Sequence, residues 1–305
     1  MRRAWIPAVM MLAALAFASG SWSAAPTVQM INGIGLIDYS RAPHFKVGDW
    51  VRYHVTSSSE MGASDDYSVT VLIAGEERFW GENCFWVETW TEATDGPARG
   101  VASLMSYDVF SDSFPNIRSQ YYMRKTVEGS GDNGELQEEV VRRPGSTIRK
   151  RAWLYEGNDV AIDSLPGDTV SVPVGLFRCR PLRIQQGKGA TLDHRDSSTY
   201  TEVREIRVSY LASEVPVTGI AKETIEKSIK RRSWAIGHSQ DSQKLNTMDR
   251  SLGEARLVAF GSGLAGRILP PARQTSLKQQ DAAQARAASA KPAPPKKAPA
   301  AKPKS

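Results

Sequence analysis

Between about residue 31 and residue 264 apolar and polar positions alternate with a period of two, and long stretches with a helical period are missing. Successive side chains of a strand point to opposite faces, so each such run predicts a strand with two distinct surfaces. FKVGDWVRYHV sets Val51, Tyr53 and Val55 on one face and Trp50, Arg52 and His54 on the other. DYSVTVLIAG is a β-branched run ending at Gly75. After the turn-like EERFWGEN, the run CFWVETWTE sets Cys84, Trp86 and Trp90 against Phe85, Val87 and Thr89. These three runs predict a meander with a short turn between its second and third strands.

Further strands are predicted over 99–108, 119–126, 135–142 and 149–156, although ELQEEVVRR fits a helix as well as a strand. TVSVPVGLFRCRPLRIQQ reads as a strand, a Pro-Val-Gly corner and a second strand. STYTEVREIRVSYLASEVPVTGIAKE is the longest extended candidate. Within it Pro216 lacks a backbone donor and belongs at an edge or bulge, and Gly219 supplies a bend. Residues 224–253 are polar and charged and read as a long insertion or loop, with IEKSIKRRSW as its helical hint. ARLVAFGSGL closes the series. The prediction is one mainly β domain over 41–265, with α+β as a variant: a large curved antiparallel sheet or half-barrel. A sheet of that size has to curl or be covered, because open edges and open apolar faces invite aggregation.

The two ends differ from this body. Residues 1–23 carry Arg2 and Arg3, an apolar run of about ten residues and then small residues, the pattern of a secretory signal peptide and too short for a membrane span. Cleavage fits after Gly20 or after Ser23, and 24–40 form a lead-in. Residues 266–305 hold almost no large apolar side chain and read as a disordered, Lys/Pro/Ala-rich tail.

Charge follows the same boundary. The tail has nine Lys or Arg against one acid, Asp281; setting those and the two leader arginines aside from totals of 39 and 33 leaves 28 basic and 32 acidic residues. The basicity of the chain therefore belongs to its tail, and no nucleic-acid partner is expected. Lys291, Lys296, Lys297, Lys302 and Lys304 are the candidates for contact with an anionic envelope surface.

Recognisable chemistry is sparse. HExxH, the GxxxxGK[ST] phosphate loop and GxSxG do not occur; GHSQD at 237–241 lacks the second glycine of the last of these. DHRD at 193–196 places His194 between carboxylates, as a solvated loop also would. No catalytic residue, metal ligand or cofactor is assigned, and the chain is read as non-enzymatic. Cys84 and Cys179 are one pair in an exported chain, so they form a disulfide or remain two buried thiols. A bridge closing a loop of this size would contribute up to about 4–5 kcal/mol.

The landmarks FKVGDWVRYHV, GENCFWVETWTE, VSVPVGLFRCRPLRI, SEVPVTGIAKE and LVAFG, in that order, resemble the lipoprotein-carrier-like (LolA/LolB-like) half-barrel superfamily of bacterial envelope proteins, nearest to its uncharacterised members. The resemblance implies a curved antiparallel half-barrel with an apolar ligand site in its concavity. If the face of Val51, Tyr53, Val55, Phe85 and Val87 lines that concavity, the expected guest is a lipid, an acyl chain or a lipidated protein. The alternative is a structural or protein-interaction module that fills the concavity with its own side chains. Either way the expected location is exported, periplasmic or outer-membrane-associated.

Overall fold

A computed structural model of the chain describes residues 42–79, 81–93, 98–110, 116–117, 123–128, 135–140, 148–149, 159–238 and 243–289. The fold is mainly β. Its strands are β1 (Trp50–Ser59), β2 (Ser64–Phe79), β3 (Glu82–Ala93), β4 (Arg99–Ser106), β5 (Asn116–Ile117), β6 (Met123–Glu128), β7 (Glu135–Val140), β8 (Ile148–Arg149), β9 (Asp159–Ser164), β10 (Asp168–Val172), β11 (Gly175–Asp193), β12 (Ser197–Leu211), β13 (Ile220–Ala235) and β14 (Asn246–Gly261). Twelve form one antiparallel sheet in the order β10-β11-β12-β13-β14-β1-β2-β3-β4-β6-β7, with β9 also on β11; β5 and β8 pair separately. The sheet is open and not closed into a barrel.

Each neighbour in this order except the β14–β1 and β4–β6 junctions follows its partner directly in the chain, so hairpins do most of the assembly. Joining β14 to β1 brings the end of the body beside its beginning, with Val55 opposite Ala255 and Tyr53 opposite Leu257. Register shifts at Arg52/Tyr53, Ile73/Gly75, Tyr210/Leu211 and Ile229/Lys230 are the kind of irregularity that bends strands and increases twist. The β10 end of the sheet folds back over β13 and β14. Curling of this kind gives the sheet an enclosed inner face.

The alternation read from the sequence holds on both faces of the meander. Val51, Tyr53, Val55, Phe85 and Val87 join the inner cluster, while Cys84, Trp86 and Trp90 join a second cluster on the outer face. The turn between β2 and β3 is tighter than EERFWGEN suggested, because Glu76 to Phe79 continue the strand against Phe85 to Glu82.

Two expectations are corrected. Residues 224–253 are not an insertion: they form most of the β13–β14 hairpin, and Lys222–Glu254 and Arg250–Glu226 ion pairs of 2.8 Å cross it. Polar residues on both faces hide the period-two signal there. The strand reading of ELQEEV, by contrast, holds: it is β7, paired with β6. The stretch 266–289 is ordered: it crosses the outer face as a strap, makes a 3-10 turn at Pro271–Arg273 and continues as helix α1 (Leu277–Ser289). The strap lacks a large core of its own and takes its order from the sheet beneath it. The signal segment, the lead-in to residue 41 and the five tail lysines lie outside the described residues.

Candidate functional site

The alternation places the ligand candidates on the inner face, and the structure brings all five into one cluster. Val51, Tyr53 and Val55 of β1 and Phe85 and Val87 of β3 are each 0–1% exposed. Apolar neighbours from β2, β14, β10 and β11 pack around them, among them Val71, Leu257, Val170 and Phe177. Phe45, Phe85, Tyr107 and Phe110 form an aromatic group at one end, with ring centroids 4.9 to 6.4 Å apart.

The segment 212–219 between β12 and β13 closes this cluster. Expected at an edge or bulge, it is instead a turn buried in the core: Val215, Val217 and Thr218 are fully buried. Tyr53 donates its hydroxyl to the Ile220 carbonyl at 2.7 Å and, with its proton so used, accepts from the Thr218 hydroxyl. His44 Nε2 meets the Val215 carbonyl at 3.0 Å. Val217 has φ 64°, a left-handed conformation that costs a β-branched residue energy and persists because the surroundings hold it. Burial pushes the Tyr53 hydroxyl well above its ordinary pKa; the Thr218 hydrogen bond opposes the rise and the Glu223 charge adds to it.

Beyond Tyr53 the inner face turns polar. Glu223, almost fully buried, lies opposite Ala255 and accepts from Ser209 Oγ at 2.7 Å and from Arg207 Nη1 at 3.4 Å. Ser59 donates to Asp249 at 2.6 Å and Ser57 to Asp65 at 3.0 Å. These carboxylates are held by short local donors, which is what buried polar groups require.

The outer face is closed by different means. Glu88, fully buried between Trp86 and Trp90 on β3, accepts the backbone N–H of Arg267 at 2.8 Å, Ile268 at 3.2 Å and Leu269 at 2.9 Å, and the indole N–H of Trp90 at 3.2 Å. Glu77 takes a two-nitrogen grip from Arg273 at 2.7 to 3.1 Å and the Trp86 indole at 3.1 Å. Arg273 and Arg267 lie over the rings of Trp86 and Trp90, 5.3 and 5.1 Å from the centroids. Ile268 and Leu269 are buried in the same cluster as Trp86 and Trp90. The close approach needs glycine: a Cβ on Gly75 would stand 2.2 Å from the Arg273 carbonyl, and one on Gly266 2.5 Å from Glu88 Oε1. Helix α1 starts against β2, with Leu277 N–H donating to Glu76 at 2.9 Å and Arg78 gripping Asp281 at 2.8 and 3.0 Å.

The disulfide expectation is corrected as well. Both thiols are free and buried, Cys84 on the outer face and Cys179 in the inner cluster, so the sheet itself separates them. Of the polar motifs, His194 takes part in the β11–β12 turn through its backbone, and His54 pairs with Asp66 at 2.8 Å on the surface. Residues 239–241 of GHSQD lie outside the described residues. Among the described residues no group of three or more His, Cys, Asp or Glu side chains is placed to hold a metal ion. The residues that sequence reasoning missed are the carboxylates Glu76, Glu77 and Glu88 and the strap they hold. Their signal was one acid interrupting the aromatic face of β3, with partners some 180 positions away.

No protein-family model and no curated protein matches the chain. Among solved structures it is similar to a Bacteroides fragilis protein named as an exported protein with a YmcC-like fold, at 8% identity and TM-score 0.31, over 73% of this chain and 100% of the other. A Parabacteroides distasonis protein named as a lipoprotein matches at 8% identity and TM-score 0.31, over 72% of this chain and 99% of its own. Superpositions of this quality transfer neither a ligand nor an activity.

Proposed function

We propose that the protein is an exported, non-enzymatic component of a bacterial cell envelope that acts as an interaction module, its concavity filled by its own side chains. Export is supported by the leader-like residues 1–23. The observation that carries the module reading is the complete burial of Val51, Tyr53, Val55, Phe85 and Val87 beneath β10 and the 212–219 turn. A lipid, an acyl chain or the acyl group of a lipidated partner would have to displace that turn and break the Tyr53–Ile220 hydrogen bond before meeting the candidate residues. The outer face of β2 to β4 is likewise occupied, by the strap, leaving the outer face of β1 and β14, the rims and the strand ends as the surfaces offered to partners. The Lys-rich tail adds a second contact, electrostatic attraction of Lys291, Lys296, Lys297, Lys302 and Lys304 to an anionic envelope surface.

Native mass spectrometry of the protein purified from its source tests this reading. The expected mass is that of the processed polypeptide alone. A lipid mass that co-purifies in stoichiometric amount and is lost in a Val55→Trp variant would replace the module by a carrier.

A further inference from the structure

Strands β11 to β14 do not stop where the core stops. Ser59, the last residue of β1, pairs with Ser251, and the cross-sheet row continues through Lys227, Glu205 and Gln186. Past that row β11 runs on from Gly187 to Asp193 and β12 from Ser197 to Arg204, which carries the hairpin ends roughly 20–25 Å beyond the body. The result is a four-stranded blade. Its residues are mostly exposed or half-buried, and neither core cluster extends into it.

Apolar side chains nevertheless sit at its ends. Leu192, at the end of β11, is 61% exposed and Ile236, just past β13, is 58% exposed, with their hairpins joined by the Ile236 N–H to Asp196 carbonyl bond of 3.2 Å. Met248 and Met61 are exposed on a lower shelf at the same end of the sheet. Trp234, in the row of Ser198 and Asp193, lies one row nearer the tip than Leu192 and on the opposite face, and Tyr200 shares the Trp234 face two rows further in, with the Arg232 guanidinium 5.2 Å from the Tyr200 ring centroid. Residues 228–244, past the Ser59 row, hold four basic side chains, Lys230, Arg231, Arg232 and Lys244, against one acid, Asp241. The neighbouring turn adds Arg195 and two carboxylates, Asp193 and Asp196, of which Asp193 accepts from Ser198 at 2.6 Å.

We infer that the end of this blade docks on the surface of an anionic lipid bilayer, Leu192 and Ile236 entering the headgroup region, Trp234 and Tyr200 lying at its level and the basic hairpin facing the phosphates. The inference rests on the interaction-module reading and supplies its partner. Two separated apolar points on hairpin ends present no continuous groove for a complementary protein surface. A bilayer needs none: Ile236, Trp234 and Leu192 at the tip on both faces of the blade, followed inwards by Tyr200 with Arg232 and then Arg231, match its interfacial depth profile.

The test follows the fluorescence of Trp234 in the full-length processed protein mixed with vesicles of phosphatidylethanolamine and phosphatidylglycerol carrying brominated acyl chains. A Trp234→Phe protein supplies the background. Trp234 is expected to be quenched on these vesicles and not on phosphatidylcholine alone, and Leu192→Asp with Ile236→Asp should lower the bound fraction about tenfold. Ile236→Ala, which adds no charge, should weaken binding in the same direction. Truncation after Ser289 should leave the quenching in place, since it removes only the tail lysines. Vesicle binding without Trp234 quenching, or quenching unchanged in the double Asp variant, overturns the inference. So does a blade variant that stops recovery of an envelope protein partner while the parent shows no quenching. A lipid found in the concavity would defeat the module reading but would not alter Trp234 quenching, so the two failures are distinguishable.

Discussion

The two faces of β2 and β3 are both closed to water, and they are closed in opposite ways. On the inner side Val71, Phe85 and Val87 meet hydrocarbon from β1, β14, β10 and the 212–219 turn, and the cover is a part of the same sheet. On the outer side Trp86, Trp90 and Leu72 are covered by a strap that follows the last strand and is held by carboxylates: Glu88 on three backbone N–H groups and Glu77 on Arg273. An apolar cover contributes through area removed from water and has no preferred register. A cover that satisfies a buried carboxylate is tied to one position, because any shift strands a charge. The inner closure thus supplies bulk stability and the outer closure supplies location, fixing the point from which α1 and the tail depart.

The largest expected effect tests the inner side. Phe85→Ala removes a fully buried ring from the aromatic group and should cost about 3–5 kcal/mol in urea unfolding. A loss below about 1 kcal/mol would mean that the cluster is loosely packed, against the filled-concavity reading. On the outer side the cost has a ceiling, since the strap can lift off and return its backbone groups to water. Glu88→Ala and Gly75→Ala should each cost about 1–3 kcal/mol. Both should open the chain to trypsin at Arg267 and Arg273 by about tenfold without unfolding the sheet. Global unfolding in step with that cleavage would show the two closures to be one cooperative unit.

The smallest effect concerns the thiols, one on each side. Burial, with Glu82 adding to it, pushes Cys84 up to about 12, and burial with the Glu214 charge raises Cys179. A raised folded-state value means that the associated stability is fully present below the ordinary thiol range, about 8.5. It is then lost as pH rises toward about 12 for Cys84. Titration with a thiol reagent at pH 8 should therefore find both groups unreactive in the folded protein and two groups reactive in denaturant. Zero reactive groups in denaturant would establish the disulfide and require the sheet to be rearranged.

Much of the inner face was legible in advance. Spacing alone put Val51, Tyr53 and Val55 on one face of their strand and Phe85 and Val87 on one face of theirs, and the two faces meet in one cluster. Successive positions on a strand cannot share a face, so that reading needs no partner. The β13–β14 hairpin escaped because its charged residues alternate with other polar ones, and its stability comes from cross-strand pairs such as Lys222–Glu254. Glu88 escaped for a related reason: a single acid in an aromatic strand reads as an interruption until Arg267, Ile268 and Leu269 are seen to surround it.

By itself the sequence determined which residues form strands in the meander, which side chains share a face, and where composition changes at the ends of the chain. Those are properties of neighbours a few positions apart, set by backbone geometry. The tertiary structure decided what covers each face, which of the two thiols lies on which side, and that residues 266–289 belong to the folded body. Such outcomes depend on pairings between positions up to some 200 apart, such as Leu277 with Glu76, and no local period encodes them. The same division explains the blade: extended runs for β11 and β12 are written in the chain, whereas the pairing of β13 with β14 and how far all four strands overrun the core emerge only in the fold, the latter set by where β1 ends beside them.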